Sequence, residues 1–160
     1  MPHFDSLELR RTLGQFATGV AIVTVRTADG GWAGMTINSF AALSLEPPLI
    51  TWAVGLHSPN CALYETATHF AINVLASDQV ELSRRFASAV PDKFAGLDCE
   101  PGLGGAPLLR GCIACFQCST EHCLPGGDHT LIVGRVEAIE RGSGAPLLFW
   151  GGDYRYVASA

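Results

Sequence analysis

At 160 residues, 48% hydrophobic and 16% charged, the chain has the size and composition of one globular domain with a real core. A net charge of −5 and a single lysine, Lys93, exclude a general nucleic-acid binder and a polybasic membrane patch, both of which need many cations. The opening MPHFDSLELRR has no apolar run and no stretch reaches the ~18 uncharged apolar residues of a membrane span, so the expectation is a cytoplasmic protein with reduced cysteines.

Asp5 followed by Glu8 has the spacing of a capping box, and Leu9, Leu13 and Phe16 recur at helical intervals, which predicts an amphipathic helix over 6–17. The period then changes. The β-branched run 20–26 leads into Ala28-Asp29-Gly30-Gly31 and a second strand from Trp32 to about Phe40, an opening hairpin. After Pro47-Pro48, residues 49–54 read as a buried strand. Ser58 as N-cap and Pro59 as first helical residue predict a short helix over 59–67. Residues 69–75 form another strand, and Asp78 to Glu81 a second capping box for a helix ending near Ala87. The stretch 88–110, rich in proline and glycine, reads as an irregular excursion, and strands follow over 111–120, 128–140 and 146–157, the last bending at Gly151-Gly152. With no helix between these last strands, an antiparallel β-barrel with short peripheral helices fits better than a doubly wound sheet. One domain spans 1–160.

Four polar constellations stand out. In Gly34-Met35-Thr36-Ile37-Asn38-Ser39-Phe40, hydroxyls and an amide cluster where a plain core strand would be apolar. They can serve a polyol, a phosphate or a heteroaromatic edge, although a polar edge or turn gives the same pattern. His57-Ser58-Pro59-Asn60 marks a strand-to-helix junction, a natural anion seat if Ser58 is more than a cap. Arg84-Arg85-Phe86-Ala87 places cations on a helix with either solvent or a phosphate to meet. His129, after Gly127-Asp128, opens a strand at a loop edge. Cys112, Cys115, Cys118 and Cys123 invite a zinc reading, but residues three apart on a strand point to opposite faces, which favours small packed hydrophobes and no metal.

The ordered series Phe16 to Val20, Gly34-Met35-Thr36, Asn38-Ser39-Phe40, Ser44-Leu45, Phe70 to Leu75, Arg85-Phe86-Ala87, Asp92 to Gly96, Gly127-Asp128-His129 and Gly152-Asp153-Tyr154 resembles the short-chain flavin reductase family, the reductase components of two-component flavin monooxygenases. The resemblance covers about residues 10–156. It implies an FMN-binding split β-barrel, antiparallel and Greek-key-like, and a homodimer with flavin near the subunit interface. It further implies hydride transfer from NADH or NADPH to FMN or FAD, and a transient oxygenase partner. By the same resemblance the flavin is held by Gly34, Met35, Thr36, Asn38 and Ser39, and by Ala53, Val54, Gly55, His57, Ser58 and Asn60. Arg85, Phe86, Ala87 and Tyr154 complete that set, Arg85 lying towards the phosphate. His129 lies near the nicotinamide. Polar groups at Thr36, Asn38 and Ser39 would fix the flavin, and backbone N–H groups near 53–55 would steady negative charge on its reduced form. The chain departs from the pattern in its cysteine-rich strand after Gly111 and in Asn60, where many relatives place threonine.

Overall fold

The β-branched run near the N-terminus becomes the strand around which the rest is organised. In the computed structural model, which describes residues 3–158, the elements in chain order are α1 (Ser6–Leu13), β1 (Thr18–Gly19), β2 (Ala21–Arg26), β3 (Trp32–Ile37), β4 (Ala41–Leu45), β5 (Pro48–Gly55), α2 (Cys61–Thr66), β6 (His69–Val74) and α3 (Val80–Ala87). They continue with β7 (Cys99–Pro101), β8 (Pro107–Leu109), β9 (Ala114–Gly126), β10 (His129–Arg141), β11 (Leu147–Trp150) and β12 (Asp153–Tyr156). Five successive residues of β2, Ala21 to Val25, are buried, because both faces of the strand are covered. Val23 and Val25 pack with Trp52, Phe70 and Ile132, whereas Ile22 packs with Leu75, Phe86 and Leu147.

The main sheet is antiparallel, in the order β3-β2-β6-β9-β10-β5-β4. Laid flat, seven strands would separate β3 from β4 by about 29 Å. Yet the two are consecutive in the chain, linked only by residues 38–40, and that link spans at most about 14 Å between Ile37 and Ala41. The sheet must therefore roll until its two edges lie side by side without pairing, which is a split barrel. Its interior holds Trp52, Tyr64, Phe70, Ile72 and Cys118, and α3 covers β3 and β2 from outside. Smaller sheets, β1-β11-β12 and β7-β8, flank it.

Several boundaries differ from expectation. The first helix stops at Leu13, where the Gly14 N–H bonds the Arg10 carbonyl. Phe16 lies outside it, 79% exposed, and α1 buries none of its residues, so its apolar face meets no core in this chain. The strand from Trp32 ends at Ile37, and β4 is an extra strand created by the closing turn. Ser58 does not cap α2: Asn60 holds that position, without a side-chain bond, and the Ser58 carbonyl instead accepts from the Cys61 N–H at 3.0 Å. The second capping box fails likewise. Gln79 is the N-cap of α3, and its amide accepts from Ala76 N–H and donates to the Arg110 carbonyl. The excursion 88–110 contains the small hairpin β7-β8, and the strand expected over 111–120 instead runs from Ala114 through Leu124 to Gly126, paired with β10.

Cys115 and Cys118 do take opposite faces of β9. Cys115 packs with Ala71, Ala106 and Leu108, Cys118 with the barrel interior, and burial pushes both thiols up to about 12. Among the described residues, no helix is long and apolar enough to cross a membrane.

Candidate functional site

The odd polar stretch of β3 lies against α3, and the reason is Gly34. A Cβ there would stand 2.7 Å from Cε1 of Phe86 and 3.1 Å from the Val23 carbonyl, so only glycine lets the helix sit this close to the strand. Phe86 is fully buried beneath it. Two residues on, the Thr36 hydroxyl donates to the Ser83 carbonyl at 2.6 Å. The Ser83 hydroxyl in turn meets Tyr154 Oη at 2.8 Å, tying β3, α3 and β12 into one polar seam.

Two clefts adjoin this seam, and Thr36 and Ala87 line both. The larger, about 540 Å³, has walls that include Gly34, Met35, Ser58, Asn60 and Lys93, and its size falls in the range of small-molecule sites. The smaller, about 260 Å³, is lined by Asn38, Ser83, Phe149 and Tyr154 among others. Seven of the expected flavin-binding residues (Gly34, Met35, Thr36, Ser58, Asn60, Phe86 and Ala87) line the larger cleft, and Asn38 and Tyr154 line the smaller.

Two groups in the larger cleft were not singled out from the sequence. Tyr64 is 1% exposed, and its hydroxyl has no hydrogen-bond partner among the described residues. A buried polar group left unpaired is costly, and burial also pushes the phenol's pKa up; the hydroxyl itself is sealed from solvent, so Tyr64 shapes the wall by its ring rather than by a free donor. Lys93 donates from Nζ to the Phe86 carbonyl at 2.8 Å and to the Gly34 carbonyl at 3.4 Å. Of its three N–H donors, one is left for a ligand, and partial burial lowers its pKa. Nothing local in the sequence separates Lys93 from an ordinary surface lysine; only the fold brings it to β3.

The remaining predicted residues are placed differently. The Arg85 guanidinium donates to the Ala95 carbonyl at 2.6 Å and the Asp92 carbonyl at 3.3 Å, gripping the turn that carries Lys93. Arg84 stacks over the Tyr154 ring at 5.6 Å and pairs with Glu81. The Ser39 hydroxyl accepts from the Ala53 N–H at 3.0 Å, so this amide is already engaged and is not the free donor expected near 53–55. Val54 is fully buried, backbone included, and lines neither cleft.

Gly55, His57 and His129 form a separate corner. Gly55 is opposite His129 in the β5-β10 ladder, and the Leu56 N–H donates to the Asp128 carbonyl. His129 Nδ1 lies 2.7 Å from Asp128 Oδ1, both side chains being at least half exposed. The hydrogen bond and charge of His129, with a smaller contribution from His57, hold the Asp128 carboxyl below the usual range. None of the three histidine-corner groups His57, Asp128 and His129 lines the larger cleft.

Comparison with known proteins bears on this arrangement. Residues 13–158 match the model of the flavin reductase like domain. The chain is 43% identical over 150 residues to the FMN reductase (NADH) SmoA of Agrobacterium fabrum, covering 94% of this chain and 85% of that protein. It is 44% identical to the reductase subunit HsaB of a flavin-dependent monooxygenase from Rhodococcus jostii, over 94% of this chain and 77% of the relative. Among solved structures, the NADH:FAD oxidoreductase SgcE6 of Streptomyces globisporus, in complex with NAD and FAD fragments, superposes with a TM-score of 0.91 at 37% identity, covering 96% of this chain and 93% of that one. A match over nearly the whole chain, joined to a split barrel with a glycine-backed cleft, places this protein in the flavin reductase-like domain family.

Proposed function

We infer that this single-domain chain is an NADH- or NADPH-dependent flavin reductase that supplies reduced FMN or FAD to a partner monooxygenase from within the cytoplasm. The observation that carries this reading is the larger cleft itself, with a glycine-backed strand on one side, a cation at its edge and short polar side chains in its walls. These groups fit a flavin: Lys93 suits the phosphate, and Thr36, Ser58 and Asn60 the ribityl chain and ring edge. When bound, the flavin supplies an acceptor for two electrons and a proton as hydride, and the nicotinamide supplies the donor. The protein's own work is therefore to hold and orient. Thr36 is fixed by Ser83, and Ser83 by Tyr154, so the wall is set before any ligand arrives. Arg85 acts through the 92–95 turn, which it clamps, rather than by reaching the phosphate. Asp128 holds one nitrogen of His129 and so leaves Nε2, which lies beside Gly55, to meet the carboxamide or phosphate of the nicotinamide cofactor.

The chain is further read as a homodimer. Phe16 at 79% exposure, Leu13 at 65% and Leu45 at 95% are apolar side chains without cover in a single chain, the pattern of a surface that meets a protein partner.

The test is turnover. Purified protein mixed with excess NADH or NADPH and with FMN or FAD oxidises the nicotinamide continuously at 340 nm. Loss of both nicotinamides' oxidation with either flavin overturns the reading, and a single stoichiometric reduction of tightly held flavin identifies an electron carrier instead.

A further inference from the structure

Beyond Lys93 the larger cleft does not end. A second recess of about 130 Å³ shares Gly34, Asn60, Val90 and Lys93 with it and is lined further by Trp32, Pro91, Asp92 and Phe94. It is too small for another drug-sized ligand, but it suits a fragment attached to one. Its distinctive wall is Trp32, the first residue of β3. The indole is 38% exposed, and its orientation is set from below. Phe94 meets it edge-on at 5.7 Å, and Phe94 in turn meets the fully buried Phe86 edge-on at 5.0 Å. An indole buttressed through a ring chain to the core, with part of its surface in solvent, is a preformed stacking surface. The charges at this recess are ordered as well. Lys93 lies between the two spaces, with one donor left over. Asp92 is the acid in the recess, and one of its oxygens accepts from the Phe94 N–H at 3.0 Å, leaving the other for a donor. An acid disfavours a phosphate and favours an amino-bearing neutral ring.

We propose that this recess is the adenine subsite of FAD, with the base stacked on Trp32, its exocyclic amine towards Asp92 and the pyrophosphate at Lys93, so that Trp32 determines selectivity for FAD over FMN. The proposal rests on the assignment of the larger cleft to the flavin, and the experiment separates the two. Dissociation constants for FAD and FMN are measured by flavin-fluorescence quenching on the full chain, for wild type, Trp32→Ala, Trp32→Phe and Thr36→Val. Trp32→Ala is expected to raise the FAD constant relative to the FMN constant about tenfold, the scale of one base–aromatic stack, and Trp32→Phe to restore most of it. An FAD-to-FMN ratio unchanged in Trp32→Ala, whether both constants rise together or neither does, overturns the adenine subsite. Thr36→Val is expected to weaken both flavins alike; if it leaves both untouched, the flavin assignment of the larger cleft falls on its own account.

Discussion

The cleft beside Thr36 and the corner at His129 are built in opposite ways. The first is defined by packing: a glycine that admits Phe86, a fully buried helix residue, and hydrogen bonds that run from strand to helix to strand. The second is a turn on the surface, where an acid and an imidazole meet with half or more of each in water. A site held by core packing fixes ring planes to fractions of an ångström and fails when its volume is disturbed. A solvated pair tunes orientation and charge and fails gently. On the proposed reading the packed cleft grips the flavin and the solvated corner receives the nicotinamide, a visitor that must leave.

The sharpest way to break the contrast is to fill the packed side. Gly34→Val puts a branched side chain where even a Cβ stands 2.7 Å from Phe86. We expect a loss of about 1–3 kcal/mol in denaturant unfolding together with abolished flavin binding, because α3 must move off β3. Retained flavin affinity would show that the spacing of α3 and β3 does not define the site. Gly134 provides a control: its Cβ would stand 2.3 Å from Cζ of Phe70, within the barrel, so Gly134→Ala should lower stability by a similar amount while flavin affinity, measured well below the melting temperature, changes little.

Next in size is Lys93→Met. Removing a charge-assisted bond is expected to weaken FMN by about tenfold to a hundredfold, and riboflavin, which has no phosphate, by much less. Equal effects on FMN and riboflavin would remove Lys93 from the phosphate. Arg85→Ala is expected to act more weakly and through the turn, since its guanidinium reaches the Asp92 and Ala95 carbonyls.

That pair of cations shows where the sequence stops being informative. Arg85 stands on a helix beside Phe86 and looks like the phosphate ligand, whereas Lys93 lies in a proline- and glycine-rich stretch with no periodicity. Which of them faces the cleft depends on how the 88–96 loop folds back over β3, a tertiary fact. The same holds for Tyr64, which reaches the cleft wall through the packing of α2 against Trp52. By contrast β2, β5, β6 and the turn at Asp29-Gly30 were legible from β-branched runs and turn chemistry, and Thr36 and Asn38 from polar side chains in an apolar context. The boundary at Ile37 and the strand β4 were not legible, because the break at residues 38–40 is imposed by barrel closure rather than by any local breaker. The capping signals at Ser58 and Asp78 misled for a related reason: the Ser58 turn and the Gln79 side chain each satisfied nearby backbone before the helix began.

A smaller effect is expected for Thr36→Val. It keeps the shape and removes the bond to the Ser83 carbonyl, costing about 1 kcal/mol of stability. Ser83 keeps its contact with Tyr154, so the helix should stay in register, and near-ultraviolet circular dichroism should remain that of the wild type. A lost tertiary signal would mean that the bond organises the helix rather than merely the wall.

The smallest effect belongs to the corner. Asp128 has a carboxyl pKa below its ordinary value, through His129 first and His57 after it. A carboxylate depressed in the folded state adds stability above its unfolded pKa, and that stability is lost as pH falls through the folded value. Its contribution is therefore constant around neutrality and disappears only in acid, below the ordinary carboxylate range. Because the pair is exposed and screened by water and salt, Asp128→Asn should leave the melting temperature at pH 7 unchanged within error. Its consequence should appear in kinetics instead. Without the carboxylate the His129 ring loses its fixed orientation, and KM for the nicotinamide is expected to rise a few-fold, about the value of one solvent-exposed hydrogen bond, with kcat and flavin affinity nearly constant. His129→Ala should raise that KM further and make the Asp128 substitution silent, since a residue that acts only through another has nothing left to orient. Additive effects in the double variant would mean that Asp128 touches the nicotinamide cofactor directly, and the division between a gripping cleft and a receiving corner would then have to be redrawn around two groups at the corner instead of one.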